Sequence, residues 1–442
     1  MSRRGAALAP PETTPKPLDH PERRHLIAEL HARPFASLTP PERVTHLALL
    51  TGEGSAGTDL AHLTRLCERH GIASPEAGAH HALLDFGAFR LKWECHTEFT
   101  TYTIFQSGPL PADPFKPSAI EALPRDWVED LPGELLAALK LVVAPSGRGT
   151  PDDSWVSSAL SAENFAIASV AGGAATAAMD FATDAQGYAR AFVRDRGMRP
   201  RQAARLVQRL CEIETYRMMA LLALPLARAR GADLTRMGNR LTDVTQRMTE
   251  IRALEDERAL LVDITALSAD VERVAAETQY RFSAAGAYNA LVQRRVQELR
   301  EQRIEGFQTF EEFLERRLSP AMRTCDAVRD RLETLSRRVT RAGQLLRTRV
   351  DIQVEGQNRD LLSSMDQRAK LQLRLQETVE GLSIAAITYY AVGLVQYGAA
   401  AVKSAGVPVP VEAVTGIAIP VVAAAVFLVT RAIRRRIRLE EG

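Results

Sequence analysis

The chain has few cysteines and none of the short motifs that mark common enzyme active sites. Its four cysteines, Cys67, Cys95, Cys211 and Cys325, are scattered and form no CxxC pair. This spacing indicates free thiols in a reducing compartment rather than a disulfide framework or a zinc site. There is also no GxxxxGK(S/T) phosphate loop, no HExxH helix and no GxSxG turn. The sequence therefore predicts no cofactor and no catalytic residues, and we expect a protein that is not an enzyme.

The chain also lacks an excess of charge of either sign. It carries 56 Lys and Arg against 54 Asp and Glu, for a net charge of +2. A nucleic-acid-binding protein is expected to be more basic, so we expect no nucleic-acid partner. The residues before position 22 contain no apolar core of signal-peptide length and are rich in proline, which predicts a disordered lead-in at 1–21 and no export.

All nine histidines precede residue 97. The pairs His80-His81 and Cys95-His96 flank a predicted strand and could converge on a divalent cation, because imidazole and thiolate are zinc ligands. Their spacing matches no established zinc pattern, so capping and surface roles are the favoured interpretation. No metal ligand is assigned.

Two long runs near the carboxyl end contain no charged side chain. They span Leu382–Val402 and Ala413–Thr430. A helix of about 20 residues covers the roughly 30 Å of bilayer hydrocarbon, so the runs predict a transmembrane hairpin with the bilayer as partner. We assign residues 381–402 and 413–431 to the two spans and 403–412 to the outer loop.

The charges that flank the two runs predict their orientation. The loop 403–412 has one cation and one anion, whereas the tail 432–442 and the residue before it are rich in arginine. Since Lys and Arg are retained in the cytoplasm, we expect a multi-pass protein of the cytoplasmic (inner) membrane with both termini cytoplasmic. The candidate headgroup contacts are Arg431, Arg434, Arg435, Arg436 and Arg438.

Residues 22–198 predict a cytosolic α+β domain. Helices are predicted over Arg23–His31, Pro41–Leu50 and Asp59–His70, the last ending at Gly71. Aromatic and β-branched segments then predict strands, with a hairpin turn at Gly172-Gly173. The predicted strands are Leu83–Trp93, Glu98–Phe105, Leu139–Ala144, Phe165–Ala171, Ala174–Phe181 and Tyr188–Arg194. We expect a single sheet with helices on one face.

Residues 199–380 predict a helical bundle and a coiled-coil stalk. One helix is expected from Pro200 to Gly231, with a kink near Pro225. Heptad spacing follows over Leu234–Ile251, Leu260–Thr278 and Val328–Leu346, which indicates apolar seams between helices. A helix that begins at Ser319-Pro320 is expected to run on into the first span. Its seams can pair within one chain or between copies, and we expect a homo-oligomer.

Nearly the whole chain resembles a family of bacterial predicted membrane-anchored proteins with no assigned function. The resemblance is carried by the stretches His20–Phe35, Leu83–Phe105 and Glu377–Gly398. It implies a membrane anchor and no particular activity.

The order of the predicted parts is similar to that of the CorA-type magnesium channels. A cytosolic α+β domain, a bundle, a long stalk helix, two spans and a basic tail imply a homopentamer whose first span lines a pore. That family carries a Gly-Met-Asn motif at the outer end of the first span, where this chain has Tyr397-Gly398-Ala399-Ala400-Ala401. The motif is absent, which argues against magnesium selectivity.

Two further groups are candidate sites. Polar and small residues form a stripe in the first span, which lines either a pore or a helix–helix interface, and the interface is the favoured interpretation. They are Ser383, Tyr389, Tyr390, Gly393, Gln396 and Tyr397. A basic group near the start either binds an anionic ligand or docks a short helix through ion pairs. It comprises Arg23, Arg24, His25, His31 and Arg33.

The sequence thus leaves two hypotheses of different class. The first is a membrane-anchored oligomeric scaffold or sensor with a large cytosolic domain. The alternative is a cation channel or transporter on the CorA-like plan.

Overall fold

The computed structural model describes residues 20, 23, 37–52, 54–147, 156, 160, 165–251, 253–406 and 408–440, with side chains described up to residue 432. The chain divides into two units. The first unit comprises residues 1–246 and 263–341, and the second comprises residues 247–262 and 342–442.

The first unit contains a nine-stranded sheet in the order β2-β3-β4-β1-β5-β8-β7-β6-β9. Its strands are β1 Glu42–Leu50, β2 His81–Asp85, β3 Arg90–Cys95, β4 Phe99–Ser107, β5 Glu134–Pro145, β6 Phe165–Val170, β7 Ala175–Asp180, β8 Ala189–Asp195 and β9 Gln302–Arg303. All neighbouring pairs are antiparallel except β5 and β8, which are parallel.

The helices are numbered in chain order. They are α1 Ala56–His70, α2 Arg125–Glu129, α3 Pro200–Leu221, α4 Ala223–Glu250, α5 Leu254–Leu299, α6 Phe310–Arg317, α7 Ser319–Ser404 and α8 Val411–Glu440. The described chain is therefore an α+β sheet domain followed by long helices that end in an apolar pair.

The helix predicted over Pro41–Leu50 is wrong, because this segment is β1 in the middle of the sheet. It pairs with β4 on one side and β5 on the other. Val44 and Leu47 lie on opposite faces, and both are buried. A strand covered on both faces shows a continuous apolar run rather than alternation, so its sequence resembles that of a buried helix.

Several local predictions are confirmed. Helix α1 ends at Gly71, which adopts the left-handed conformation with φ 67°. The hairpin at Gly172-Gly173 joins β6 and β7.

The single strand expected over Leu83–Trp93 is instead two antiparallel strands, β2 and β3, and the edge strand β9 was not predicted.

The sheet is covered on both faces, not on one as expected. On one face, side chains such as Leu139 pack with α3 residues such as Leu206. On the other, Trp93 and Leu63 belong to a second cluster, built with α1 and α2. The domain therefore has an apolar core on each side of the sheet.

Helix α3 ends at Leu221, ten residues before the predicted end at Gly231. The helical run breaks at Leu222 and restarts as α4, which continues past Gly231 to Glu250. Proline lacks an N–H and its ring clashes with the carbonyl four residues earlier, so Pro225 is accommodated in the first turn of a new helix.

The predicted heptad seams are buried. Leu241 on α4, Leu267 on α5 and Leu335 on α7 are at most 5 % exposed. Polar contacts join the helices outside the seam: Arg240 Nη1 lies 3.1 Å from Asp270 Oδ2, and Ser336 Oγ donates to Glu272 Oε1 at 3.0 Å. These parts of α4, α5 and α7 therefore pack as a bundle within the first unit.

In the second unit, the residues around the α4–α5 turn pack on α7. Arg349 pairs with the fully buried Glu257 at 2.8 Å and also donates to the carbonyls of Met248 and Ile251. Further along, α7 and α8 are each long and apolar enough to cross a membrane, with mean hydropathies of 1.4 and 2.3 in their most apolar windows. None of either window is buried.

Candidate functional site

One face of the sheet carries polar side chains where a packed core would be apolar. Side chains alternate along a strand, so Lys92 and Glu94 of β3 share a face, as do Thr101 and Thr103 of β4. The register pairs Lys92 with Thr103 and Glu94 with Thr101, and it pairs His46 of β1 with Thr103. These five residues form one contiguous group, which we call the polar sheet patch.

Helix α3 lies opposite the polar sheet patch. Gln208, Cys211, Glu212 and Thr215 recur at intervals of three and four, which places them on one face of the helix. Together with Arg295 of α5 they enclose a cavity of about 340 Å³. The remaining lining residues are His96, Phe99, Phe105, Ala204, Val207 and Tyr216.

His46 is held between the sheet and α3. Its Nδ1 lies 2.8 Å from Thr103 Oγ1 and its Nε2 lies 2.9 Å from Thr215 Oγ1. The pKa of His46 is lowered to about 4, mainly by burial; the charge of Glu94 opposes this shift, and Lys92 and His96 add to it. The imidazole is therefore neutral at neutral pH, with one nitrogen donating and the other accepting.

Two ion pairs line the cavity at different depths. Lys92 Nζ lies 2.9 Å from Glu94 Oε2, and these side chains are 9 % and 14 % exposed; we call them the floor pair. Arg295 pairs with Glu212, and these side chains are 23 % and 19 % exposed; we call them the mouth pair. The greater exposure places the mouth pair nearer to solvent.

A cluster of polar side chains around Glu98 joins α5 to the turn between β3 and β4. Glu98 accepts hydrogen bonds from Arg281 and from Tyr288, each at 2.7 Å. Burial, and then the hydrogen bond and charge of Glu98, raise the pKa of Tyr288. The Tyr288 ring stacks on Tyr216, which lines the cavity, so this cluster positions one cavity wall.

The chemistry available in the cavity is hydrogen bonding and charge pairing. Burial raises the pKa of Cys211, so its thiol stays protonated at neutral pH. Both ring nitrogens of His46 already have threonine partners. In contrast, Thr101 is 4 % exposed and its hydroxyl has no hydrogen-bond partner among the described residues. The geometry suits the binding of a small polar molecule.

The structure places Cys95 and His96, two of the residues considered as metal ligands, on opposite faces of the sheet. His96 lines the cavity, but Cys95 lies on the opposite face of β3, with Sγ 3.9 Å from Asp59 Oδ2. His81 pairs with Glu94 in the register of β2 and β3, and the carbonyl of His80 accepts from Cys95 N. Within the described part of the chain, no group of three or more His, Cys, Asp or Glu side chains could hold a metal ion.

The basic candidates near the start fall largely outside the described residues. This applies to Arg24, His25, His31 and Arg33, whereas the backbone N–H of Arg23 donates to the carbonyl of His20 at 2.9 Å.

The polar stripe of the first apolar helix lies on the surface. Ser383, Tyr389, Tyr390, Gln396 and Tyr397 are exposed, and Gly393 is half-buried. Ser383 Oγ donates to the Val379 carbonyl within the helix at 2.8 Å.

Of the predicted headgroup contacts, only one has a described side chain. Arg431 is exposed on α8. Arg434, Arg435, Arg436 and Arg438 lie on the same helix, with side chains outside the described part.

Sequence reasoning missed the polar sheet patch. Lys92 lies in a predicted strand, and Thr101 lies in the next one. The signal that could have found the patch is the alternation in Leu91–Glu94 and in Thr100–Thr103, which puts charged and hydroxyl residues on one face. Their convergence depends on a register that one sequence does not show.

Fold and site together define a class of protein: an α+β domain with a polar cavity, followed by long helices, two of which could span a membrane. A family described as "Protein of unknown function (DUF3422)" matches residues 18–437, and the chain belongs to it. No curated protein and no solved structure matches the chain.

Proposed function

We propose that this protein is a membrane-anchored sensor that binds a small polar molecule in the cavity of its sheet domain. The observation that carries the proposal is the cavity itself, with buried charges and hydroxyls on a sheet face that could have been apolar. Burying polar groups is costly unless they are hydrogen-bonded, and the hydroxyl of Thr101 has no partner among the described residues.

Binding without catalysis is favoured by the state of the two reactive groups. A nucleophilic cysteine needs a lowered pKa, whereas burial raises that of Cys211. A general base at neutral pH needs a pKa near 7, whereas burial lowers that of His46 to about 4. We therefore propose binding rather than catalysis.

Anchoring in the cytoplasmic membrane is supported by exposed apolar surface at the end of the chain. Leu394 is 73 % exposed on α7, and Phe427 is 53 % exposed on α8. Large apolar side chains facing water cost about 25 cal/mol per Å², and a bilayer removes this cost. The arginines in the C-terminal part of α8 favour a cytoplasmic location for both ends of the hairpin.

Assembly through α7 is part of the same proposal. Between the bundle and the apolar segment, α7 exposes Ile352, Leu361, Met365, Leu371 and Leu375, each at least 58 % exposed. A second copy of the same helix would cover these residues in a coiled coil.

A cation channel on the CorA-like plan is the second candidate. It is favoured by the exposed polar stripe of α7, where Gln396 and Tyr397 would face either a pore or a neighbouring helix.

The cavity is tested with a filled variant. Ala204→Met adds a side chain at a lining position, and Ala232→Met makes the same change on an exposed part of α4. A library of small polar metabolites is screened by thermal shift on the purified full-length protein. We expect compounds that stabilise the wild type and the Ala232→Met protein but not the Ala204→Met protein. A screen without any stabilising compound, or turnover of the bound compound, would overturn the proposal.

Membrane insertion and transport are measured separately. Carbonate extraction and flotation are expected to leave the full chain with the lipid. Proteoliposomes are expected to show no saturable cation flux, and such flux would favour the channel.

A further inference from the structure

We propose that the cavity binds a zwitterion, with the ligand's carboxylate beside Lys92 and its ammonium beside Glu94. This inference rests on the proposed function and names the class of molecule that the sensor recognises. It follows from the balance of the two ion pairs in the cavity, from the Thr101 hydroxyl, which has no partner among the described residues, and from the size and apolar portion of the lining.

The two ion pairs that line the cavity carry no net charge. The floor pair contributes one positive and one negative side chain, and so does the mouth pair. His46 adds none at neutral pH, because burial keeps it neutral. A ligand with a single charge would lose its hydration and gain no net attraction, because the ion pairs present as many charges of its own sign as of the opposite sign. A ligand with both charges finds a partner for each.

The floor pair has the geometry for such a ligand. Lys92 and Glu94 lie two residues apart on one face of β3, so their charged groups sit side by side rather than facing each other across the cavity. An ammonium has three N–H donors, and a carboxylate accepts through two oxygens. Each partner can therefore keep its ion pair and still bind one end of a ligand, so that four charges alternate in sign.

Thr101 supplies a further contact next to Glu94. The two residues are directly paired in the register of β3 and β4, and the Thr101 hydroxyl has no partner among the described residues. A hydroxyl can accept from an ammonium or donate to a carboxylate. Binding would satisfy this buried hydroxyl, whose desolvation is otherwise not compensated by a hydrogen bond.

The remaining lining predicts the rest of the molecule. Phe99, Phe105 and Val207 give one part of the cavity an apolar surface. A volume of about 340 Å³ corresponds to about eleven waters at about 30 Å³ each. An α-amino acid with a medium-sized apolar side chain has the matching charge, size and polarity.

The test uses three probes that share a phenyl group on a short carbon chain and differ in the charged groups they carry. L-Phenylalanine carries both groups, 3-phenylpropionate lacks the ammonium, and 2-phenylethylamine lacks the carboxylate. Binding to the full-length protein in detergent is measured by calorimetry near pH 7. We expect L-phenylalanine to bind at least about tenfold more tightly than either analogue, because each lost ionic hydrogen bond to a buried partner is worth about that much.

Two variants of the floor pair should change the preference in opposite directions. Glu94→Gln leaves the lining with a net positive charge and should bind 3-phenylpropionate best. Lys92→Met leaves it with a net negative charge and should bind 2-phenylethylamine best. Controls are Lys116→Met and Glu129→Gln, whose side chains are 72 % and 63 % exposed outside the cavity. Both should keep the wild-type preference.

The outcomes separate this inference from the proposed function. If either analogue binds the wild type as well as L-phenylalanine, or if no probe binds at millimolar concentration, the zwitterion is excluded. The metabolite screen with Ala204→Met still decides whether the cavity binds another molecule. The wild-type comparison stands by itself should a floor-pair variant fail to fold.

Discussion

His46 should make the free energy of unfolding depend on pH in a way that a single substitution removes. Burial lowers its pKa from the usual 6.5 to about 4 in the folded chain. The unfolded chain therefore takes up a proton first as the pH falls. Stability from this residue is complete above pH 6.5 and is lost as the pH falls towards 4.

The magnitude follows from the two pKa values. Their difference corresponds to about 3 kcal/mol when integrated over the whole window, at about 1.4 kcal/mol for each tenfold change in proton concentration. Between pH 7 and pH 5 the same relation predicts a loss of about 2 kcal/mol. This is a large fraction of the stability of an ordinary domain, which is about 5–15 kcal/mol.

The perturbation is His46→Gln, in which an amide can still donate to one threonine and accept from the other but does not titrate. Denaturant unfolding of the full-length protein is followed by tryptophan fluorescence, because Trp93 and Trp127 are buried in the sheet domain. Other shifted groups, such as Glu42, whose pKa is raised by burial, are common to both proteins and cancel in the comparison.

We expect the wild type to lose about 2 kcal/mol more than the His46→Gln protein between pH 7 and pH 5. Equal pH dependence in the two proteins would refute the reasoning, because it would mean that His46 titrates normally and is not enclosed between the sheet and α3.

Three further substitutions test the turn, the α5 contact and the anchor. Gly133→Ala should destabilise the sheet domain by at least about 2 kcal/mol, since φ is 98° and the new Cβ would lie 2.5 Å from a backbone oxygen. The control Gly87→Ala also has a positive φ but no atom near the new Cβ, so it should destabilise less. Equal losses of stability in the two variants would contradict the clash. Tyr288→Phe should cost about 1.5–3 kcal/mol in denaturant unfolding, because Glu98 loses a hydrogen bond to its buried carboxylate; an unchanged midpoint would contradict this role. Val422→Arg should lower the membrane-bound fraction after carbonate extraction, because inserting an arginine at the centre of a span costs about 2.5–3.5 kcal/mol. Val422→Leu should leave that fraction unchanged. Equal fractions for the two variants would place this helix outside the bilayer.

Local signals in the sequence predicted the parts of the fold that depend on neighbouring residues. The glycine at 71 marked the end of α1, and the Ser319-Pro320 pair marked the start of α7. The heptad positions of α4, α5 and α7 are buried as their spacing predicted. Each of these features depends on backbone preferences or on a helical period, which a short window of sequence contains.

The sheet was harder to predict because its strands depend on distant partners. β1 was predicted as a helix because an apolar core covers each of its two faces, so no apolar–polar alternation remains in its sequence. The site was not predicted at all. Lys92, Thr103 and His46 lie in three separate strands, and their cavity also needs α3, more than 100 residues after β3.

The alternation of β3 and β4 explains how the fold can carry a polar cavity at its centre. The face opposite the polar sheet patch holds Leu91, Trp93, Tyr102 and Ile104, all fully buried against α1 and its neighbours. Burial of large apolar side chains stabilises by about 1.5–3 kcal/mol each. One face of the same strands therefore supplies the packing energy, and the other can hold groups such as Lys92, which we propose contact a ligand. Substitutions on the two faces should separate accordingly, with the apolar face setting stability and the polar face setting ligand preference.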